Sequence, residues 1–223
     1  MAVLCRDLGL LFVLNPATGS TAIGNLLREK YGGEWIPGDD TPSVRKKHST
    51  LRELLDAGLV SADERRRFCV VTSVRNPYDR LVSIYAKRAG ARPERVADPD
   101  SWLYGPKGRG RADEVHWIQE HSFSAWIRRR FLRNWLLRVV LGRAPSVYGR
   151  FVDGVDVVLR FERLQEDFDA VIRSLGGTPS EIPRVNVSTA RGPLHYRDEY
   201  DLLSRTLVRI GQRTDLARFG YSF

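Results

Sequence analysis

LFVLNPATGSTAIGNLL, residues 11 to 27, decides how the chain is read. An apolar run ends at Asn15, a turn of small residues follows, and helical spacing begins near Thr21. A buried strand that opens into a turn and a helix aims backbone N–H groups outward, and the helix macrodipole adds partial positive charge there. Thr18, Gly19, Ser20 and Thr21 supply small hydroxyls and a glycine, so an anion could approach closely. The stretch has one glycine in its turn and no lysine, so it departs from G-x-x-x-x-G-K-[ST]. Ala17 stands where the lysine is expected. Alone, the loop fits an anion cradle and an ordinary strand–helix turn equally well.

The rest of the chain repeats the strand-then-helix pattern. LGLLFVL is read as a first buried strand, with a signal peptide over the same residues as the alternative. TAIGNLLREKYGG places Ile23, Leu26 and Leu27 on one helical face and stops at Gly32-Gly33. STLRELLDAG is a short helix, and SADE at 61 to 64 has capping-box spacing. RFCVVTSV is a second buried strand, after which Asn76 and Pro77 open a helix. VDVVLRF at 155 to 161 is a third, followed by a helix carrying Leu164, Phe168, Val171, Ile172 and Leu175. YRDEYDLLSRTLVRIGQR is a last helix, and DLARFGYSF a short packed terminus. Strands alternating with helices predict an α/β fold with a central parallel sheet flanked by helices.

VVTSVRNPYDRLVSIY, residues 70 to 85, changes the weight of the first loop. It sets Arg75 at the carboxyl end of a buried strand and Ser83 on the helix beyond. In open α/β sheets ligands sit outside the carboxyl ends of strands. An arginine there holds a second anion beside the first. Two such sites suit a nucleotide phosphorylated at both ends of its ribose.

The net charge is +9, with arginine far in excess and lysine only at 30, 46, 47, 87 and 107. Arginine suits bidentate recognition of phosphate and sulfate. A nucleic-acid-binding module is the competing class for such a basic chain, but no nucleic-acid motif is present. Cys5 and Cys69 form neither a disulfide framework nor a metal spacing. No apolar stretch approaches a membrane span, and a cytoplasmic setting is expected. Residues 91 to 112 are rich in Pro, Gly and Arg and are read as a long loop. SFSAWIRRRFLRNWLLRVVLG is basic and amphipathic, but its arginines scatter around the wheel, so packed helices with snorkelling arginines are favoured over a membrane-surface helix.

At this point four segments resemble a known family, the sulfotransferases that use 3′-phosphoadenosine 5′-phosphosulfate, of the carbohydrate (sulfotransferase family 2-like) type. FVLNPATGSTAI is similar to the family's 5′-phosphosulfate loop, PKTGSTS or PKTGGTS. VVTSVRNPYDRLVSIY resembles its 3′-phosphate motif, with arginine and serine at the family spacing. VLRFERLQEDFDAV looks like RFE-x-L-x-x-D-F, and RVNVS followed by YRDEYDLLSR and DLARFGYSF resembles the C-terminal pattern.

The resemblance implies one sulfotransferase-like domain over residues 1 to 223 with a P-loop NTPase-like core, and residues 91 to 150 as a loop plus helical insertion on the acceptor side. It implies a phosphosulfate cofactor, no metal, bound by Pro16, Ala17, Thr18, Gly19, Ser20 and Thr21, with Arg75 and Ser83 on the 3′-phosphate and Arg191 near it. The product would be 3′,5′-bisphosphoadenosine, and the sulfuryl group would pass in line to an acceptor hydroxyl or amine. No nucleic-acid partner is expected, and the acceptor could be anionic or amphiphilic.

Some family members place a histidine base between the two anion motifs, where this chain has His48 in RKKHSTLREL. Neutral imidazole is a suitable proton acceptor near pH 7; a cap or surface residue before the next helix is the alternative. Lys46 and Lys47 are the nearest cations to replace the charge absent at Ala17. His116 and His121 are read as structural, and Glu162 as a residue that fixes its loop or caps the next helix. Three readings remain open: an active sulfotransferase with a substitute cation, a weak or inactive nucleotide- or acceptor-binding member, and a kinase-like protein.

Overall fold

The computed structural model describes residues 1–38, 48–90, 111–132, 146–183 and 195–223. The chain divides into two compact units, Met1–Arg75 with Ser146–Asn186 and Asn76–Pro145 with Val187–Phe223.

The first unit holds the sheet. Its strands are β1 (Ala2–Cys5), β2 (Leu10–Val13), β3 (Glu34–Ile36), β4 (Cys69–Val74) and β5 (Val157–Arg160). They lie in the order β3-β1-β2-β4-β5. β2 pairs parallel with β4, and β4 with β5, in the registers Val13↔Thr72 and Val74↔Arg160. β1 runs antiparallel to both β2 and β3. The sheet is therefore mixed, and the expected all-parallel sheet is corrected. The three strands read from the sequence are the parallel ones. The other two were not read: β1 is set off from the long apolar run by a turn, and β3 has three residues. β1 is only AVLC, and a tight turn at Arg6–Gly9 returns it into β2, closed by Gly9 N–H donating to the Arg6 carbonyl at 3.1 Å. LGLLFVL thus contains the second strand, not the first.

Alternation along the strands fills both faces. Val3, Cys5, Leu10 and Phe12 pack on one side with Ile23, Leu26 and Leu27 of α1 (Ser20–Lys30) and Phe168, Val171 and Ile172 of a later helix, α8 (Leu164–Ser174). Ala2, Leu4, Leu11 and Val13 pack on the other with Leu51 and Leu54 of α2 (Leu51–Asp56) and Phe151 of α7 (Gly149–Val152). Burial pushes the Cys5 thiol up to about 12. α2 starts at a capping box between Thr50 and Glu53, and α3 (Ala62–Arg67) at one between Ser61 and Glu64. The Ser61 backbone N–H and the Arg6 side chain hold the Glu64 carboxyl down to about 2.

The second unit is helical. α4 (Pro77–Ala89) begins at Asn76, whose Oδ1 accepts from the Tyr78 N–H at 3.1 Å, with Pro77 in the first turn. The unit's other described α-helices are α5 (Arg111–Glu120), α6 (Phe123–Leu132), α9 (Leu202–Gly211) and α10 (Arg213–Phe219). DLARFGYSF begins inside α10, so the helix read as the last one, α9, is followed by another, and it packs on this unit through Leu216, Tyr221 and Phe223. Its core gathers Tyr78, Leu81, Phe123, Trp126, Ile127, Phe131 and Val208. The α6 arginines lie over aromatic faces: Arg129 is 4.8 Å from the Trp117 ring and Arg130 5.4 Å from Trp126. Arg128 pairs with Asp201. Among the described residues no helix is long and apolar enough to cross a membrane. The expected loop at 91–112 lies outside the described residues as far as 110, and helix α5 occupies the rest.

Candidate functional site

The loop after β2 is held from inside. Asn15 is fully buried and its Nδ2 donates to the Ser73 carbonyl on β4 at 2.9 Å. Thr18 Oγ1 donates to the Asn15 carbonyl at 2.8 Å and lies 2.7 Å from Ser73 Oγ. A hydroxyl has one proton. With the Thr18 proton on Asn15, the Ser73 hydroxyl donates to Thr18. Ser20 Oγ also donates to the Asn15 carbonyl, at 2.7 Å. The loop is tied to the neighbouring parallel strand by Asn15 and the Thr18 hydroxyl, and closed on itself by the Ser20 hydroxyl. Thr18 and Ser20, read from the sequence as groups offered to an anion, here place their hydroxyls on the Asn15 carbonyl.

What the loop presents is backbone. Ala17 and Gly19 have φ of 62° and 77°, both left-handed. α1 starts after Gly19 with no side-chain cap. Among the described residues, no group accepts from the N–H groups of Gly19, Ser20 and Thr21. Unsatisfied N–H groups at the start of a helix are an anion-binding arrangement. Pro16 and Ala17 are half-buried at the turn, and Thr21 is exposed.

Arg75 follows β4 and is only 6% exposed. Its backbone carbonyl accepts from the buried Tyr148 hydroxyl at 2.6 Å. Its guanidinium carbon lies 4.0 Å from the centroid of Phe161, the residue after β5. The same ring packs against the first loop: a Cβ built on Gly19 would come within 3.1 Å of Phe161 Cδ2 and 2.8 Å of Leu164 Cδ2. Only glycine fits there, for its φ and for the space. The ends of β2, β4 and β5 thus bring Gly19, Arg75 and Phe161 together.

His48 lies beside the same strand end. Its Nδ1 is 3.3 Å from the Leu14 carbonyl oxygen. A carbonyl only accepts, so Nδ1 carries the proton in this contact, and Nε2 of the neutral ring holds the lone pair. His48 has φ 62°, a conformation that L-residues other than glycine adopt uncommonly. Its successors fix it: the buried Ser49 hydroxyl accepts from the Met1 nitrogen at 2.7 Å, and Thr50 caps α2.

Other expected residues are placed as follows. Ser83 is half-buried on α4 of the second unit. Lys46, Lys47 and Arg191 lie outside the described residues, as does RVNVS. Glu162 is exposed in a short 3-10 turn. Asp167, from inside α8, ties that strand–helix junction by accepting the Arg160 N–H at 2.8 Å. His121 stacks on Trp117 with ring centroids 3.9 Å apart, and His195 caps the turn at Tyr196–Glu199. Asn15, Ser73, Tyr148 and Phe161 were not singled out from the sequence. Two hydroxyl residues, Thr72 and Ser73, inside the apolar strand VVTSV were the available signal. Thr72 Oγ1 also donates across the sheet, to the Val13 carbonyl at 2.8 Å.

No family model matches the chain, and neither a curated protein nor a solved structure matches it.

Proposed function

We propose that the chain is a sulfotransferase that uses 3′-phosphoadenosine 5′-phosphosulfate, built on a P-loop-like α/β core. One observation carries the reading. At the ends of two adjacent parallel strands stand a helix start whose first N–H groups have no acceptor among the described residues and a buried arginine, joined through the Phe161 ring. These residues fit a nucleotide with anions at two ends of its ribose, and the likeness of residues 70–85 to a 3′-phosphate motif supports that order.

In this reading the N–H groups of Gly19, Ser20 and Thr21 hold the 5′ anion, and Arg75 the 3′-phosphate. When bound, the cofactor supplies an activated sulfuryl group. His48 takes the proton of the acceptor hydroxyl on Nε2 while Leu14 keeps Nδ1 protonated. The sulfuryl group would pass to the acceptor oxygen with the phosphate as leaving group, and the helix start would stabilise the charge left there.

Ala17 favours a second reading, a chain that binds the nucleotide with little or no transfer. The side chain at that position brings no charge to the leaving group, although the backbone cradle is intact. Calorimetric titration with 3′,5′-bisphosphoadenosine against ADP tests the nucleotide class in both readings, and equal affinities would sink it. Transfer of radiolabelled sulfate to an acceptor separates the two.

A further inference from the structure

We infer that Phe161 is the positioning residue that sets nucleotide specificity, an inference that rests on the proposed bisphosphate site. Its ring has neither donor nor acceptor for a ligand and acts through Arg75. The guanidinium carbon stands 4.0 Å from the ring centroid, and Arg75 is almost fully buried. A guanidinium is planar and weakly hydrated, so an aromatic face both desolvates it and fixes its position. The Tyr148 hydroxyl pins the Arg75 backbone at its own carbonyl, and the ring lies against the side chain.

The ring has a second neighbour. Gly19 approaches so closely that a Cβ there would press on Phe161 Cδ2 and Cε2, at 3.1 and 3.2 Å. Gly19 also begins the run of N–H groups at α1 that have no acceptor among the described residues. One apolar side chain thus touches both anion-binding groups and sets their spacing. A nucleotide with both phosphates at that spacing gains from both; ADP, lacking the 3′-phosphate, gains only from the loop. Phe161 therefore governs the preference between the two and not the affinity for phosphate in general.

The test is calorimetric titration of wild-type, Phe161→Leu, Phe161→Met and Phe161→Tyr chains with 3′,5′-bisphosphoadenosine and with ADP. Leu and Met keep the apolar volume and remove the aromatic face, while Tyr keeps the face. The leucine and methionine variants should lose about tenfold of the preference for the bisphosphate, the scale of a desolvated cation–aromatic contact. Their ADP affinity should stay within about twofold, and tyrosine should restore the preference. Equal loss for both nucleotides would make Phe161 merely structural and overturn the inference, as would full preference retained by leucine and methionine. A wild-type chain with no preference overturns the nucleotide reading and the inference with it; a preferring wild type matched by its variants overturns the inference alone.

Discussion

His48 Nδ1 faces the carbonyl oxygen of Leu14 at 3.3 Å, at the end of the strand that carries the candidate anion loop. The contact selects one tautomer and leaves Nε2 as the basic nitrogen. Nitrogen-15 NMR of the imidazole should therefore show a protonated Nδ1 in the neutral ring. His48→Ala should lower turnover by about 10²–10⁴-fold, the usual contribution of general acid–base catalysis, with bisphosphate affinity unchanged. Full activity in that variant removes His48 as the base.

Arg75→Ala should abolish the preference for 3′,5′-bisphosphoadenosine over ADP. Arg75→Lys should recover little of it, because a lysine is a point charge without the planar face that lies on Phe161. The two calorimetric titrations check this, and a lysine variant that behaves as wild type counts against the stacking argument.

Ala17→Lys should raise transfer. The added ammonium would sit at the turn beside the helix start, and a charge aimed at a leaving group contributes on the order of 10²-fold in rate or more. Formation of 3′,5′-bisphosphoadenosine from the phosphosulfate, with a simple carbohydrate acceptor, is the readout. No gain over wild type would mean that another cation already serves there, or that the turn does not face the leaving group.

Gly19→Ala should destabilise the chain by about 2–4 kcal/mol, from left-handed strain together with overpacking. Its φ of 77° and the 2.8 Å approach to Leu164 Cδ2 are the causes. Urea unfolding measures it, and a change below about 0.5 kcal/mol, typical of neutral surface substitutions, would contradict the packing described.

Acid should weaken α3 through Glu64. The folded carboxyl is held down to about 2, below its ordinary value of 4.5, chiefly by the Ser61 backbone N–H. A depressed carboxyl contributes stability that is present above the unfolded value and is lost as pH falls through the folded one. The window is thus about pH 4.5 down to about 2, and the effect is small because these bonds lie at the surface, where solvent screens them. Urea midpoints of Glu64→Gln against wild type should converge toward pH 2 and diverge above pH 5.

The parallel part of the sheet was legible because LLFV, CVVTSV and VVLR lie in apolar runs followed by helical spacing, with a clear cap at Asn76 after the second. β1 and β3 were not, since AVLC is cut off from the longer apolar run by a turn, EWI has three residues, and both owe their pairing to partners that only the fold supplies. The anion loop and Arg75 could be read from residue type and position. The inward turn of Thr18 and Ser20 could not, because a hydroxyl beside a helix start has two uses, and the Asn15 carbonyl decides between them. The role of Phe161 was hidden for a related reason: an aromatic residue ending a buried strand looks like core until the arginine from another strand lies on it.

β2 is the middle strand of five, bonded to β1 on one side and to β4 on the other. Its amides should therefore exchange with deuterium only when the whole sheet unfolds, whereas those of Gly19, Ser20 and Thr21, a few residues on, should exchange fast. The loop thus combines a slow-exchanging foundation with a fast-exchanging rim. An anion that settles on the rim would announce itself as new protection at three consecutive amides, with nothing altered beneath them.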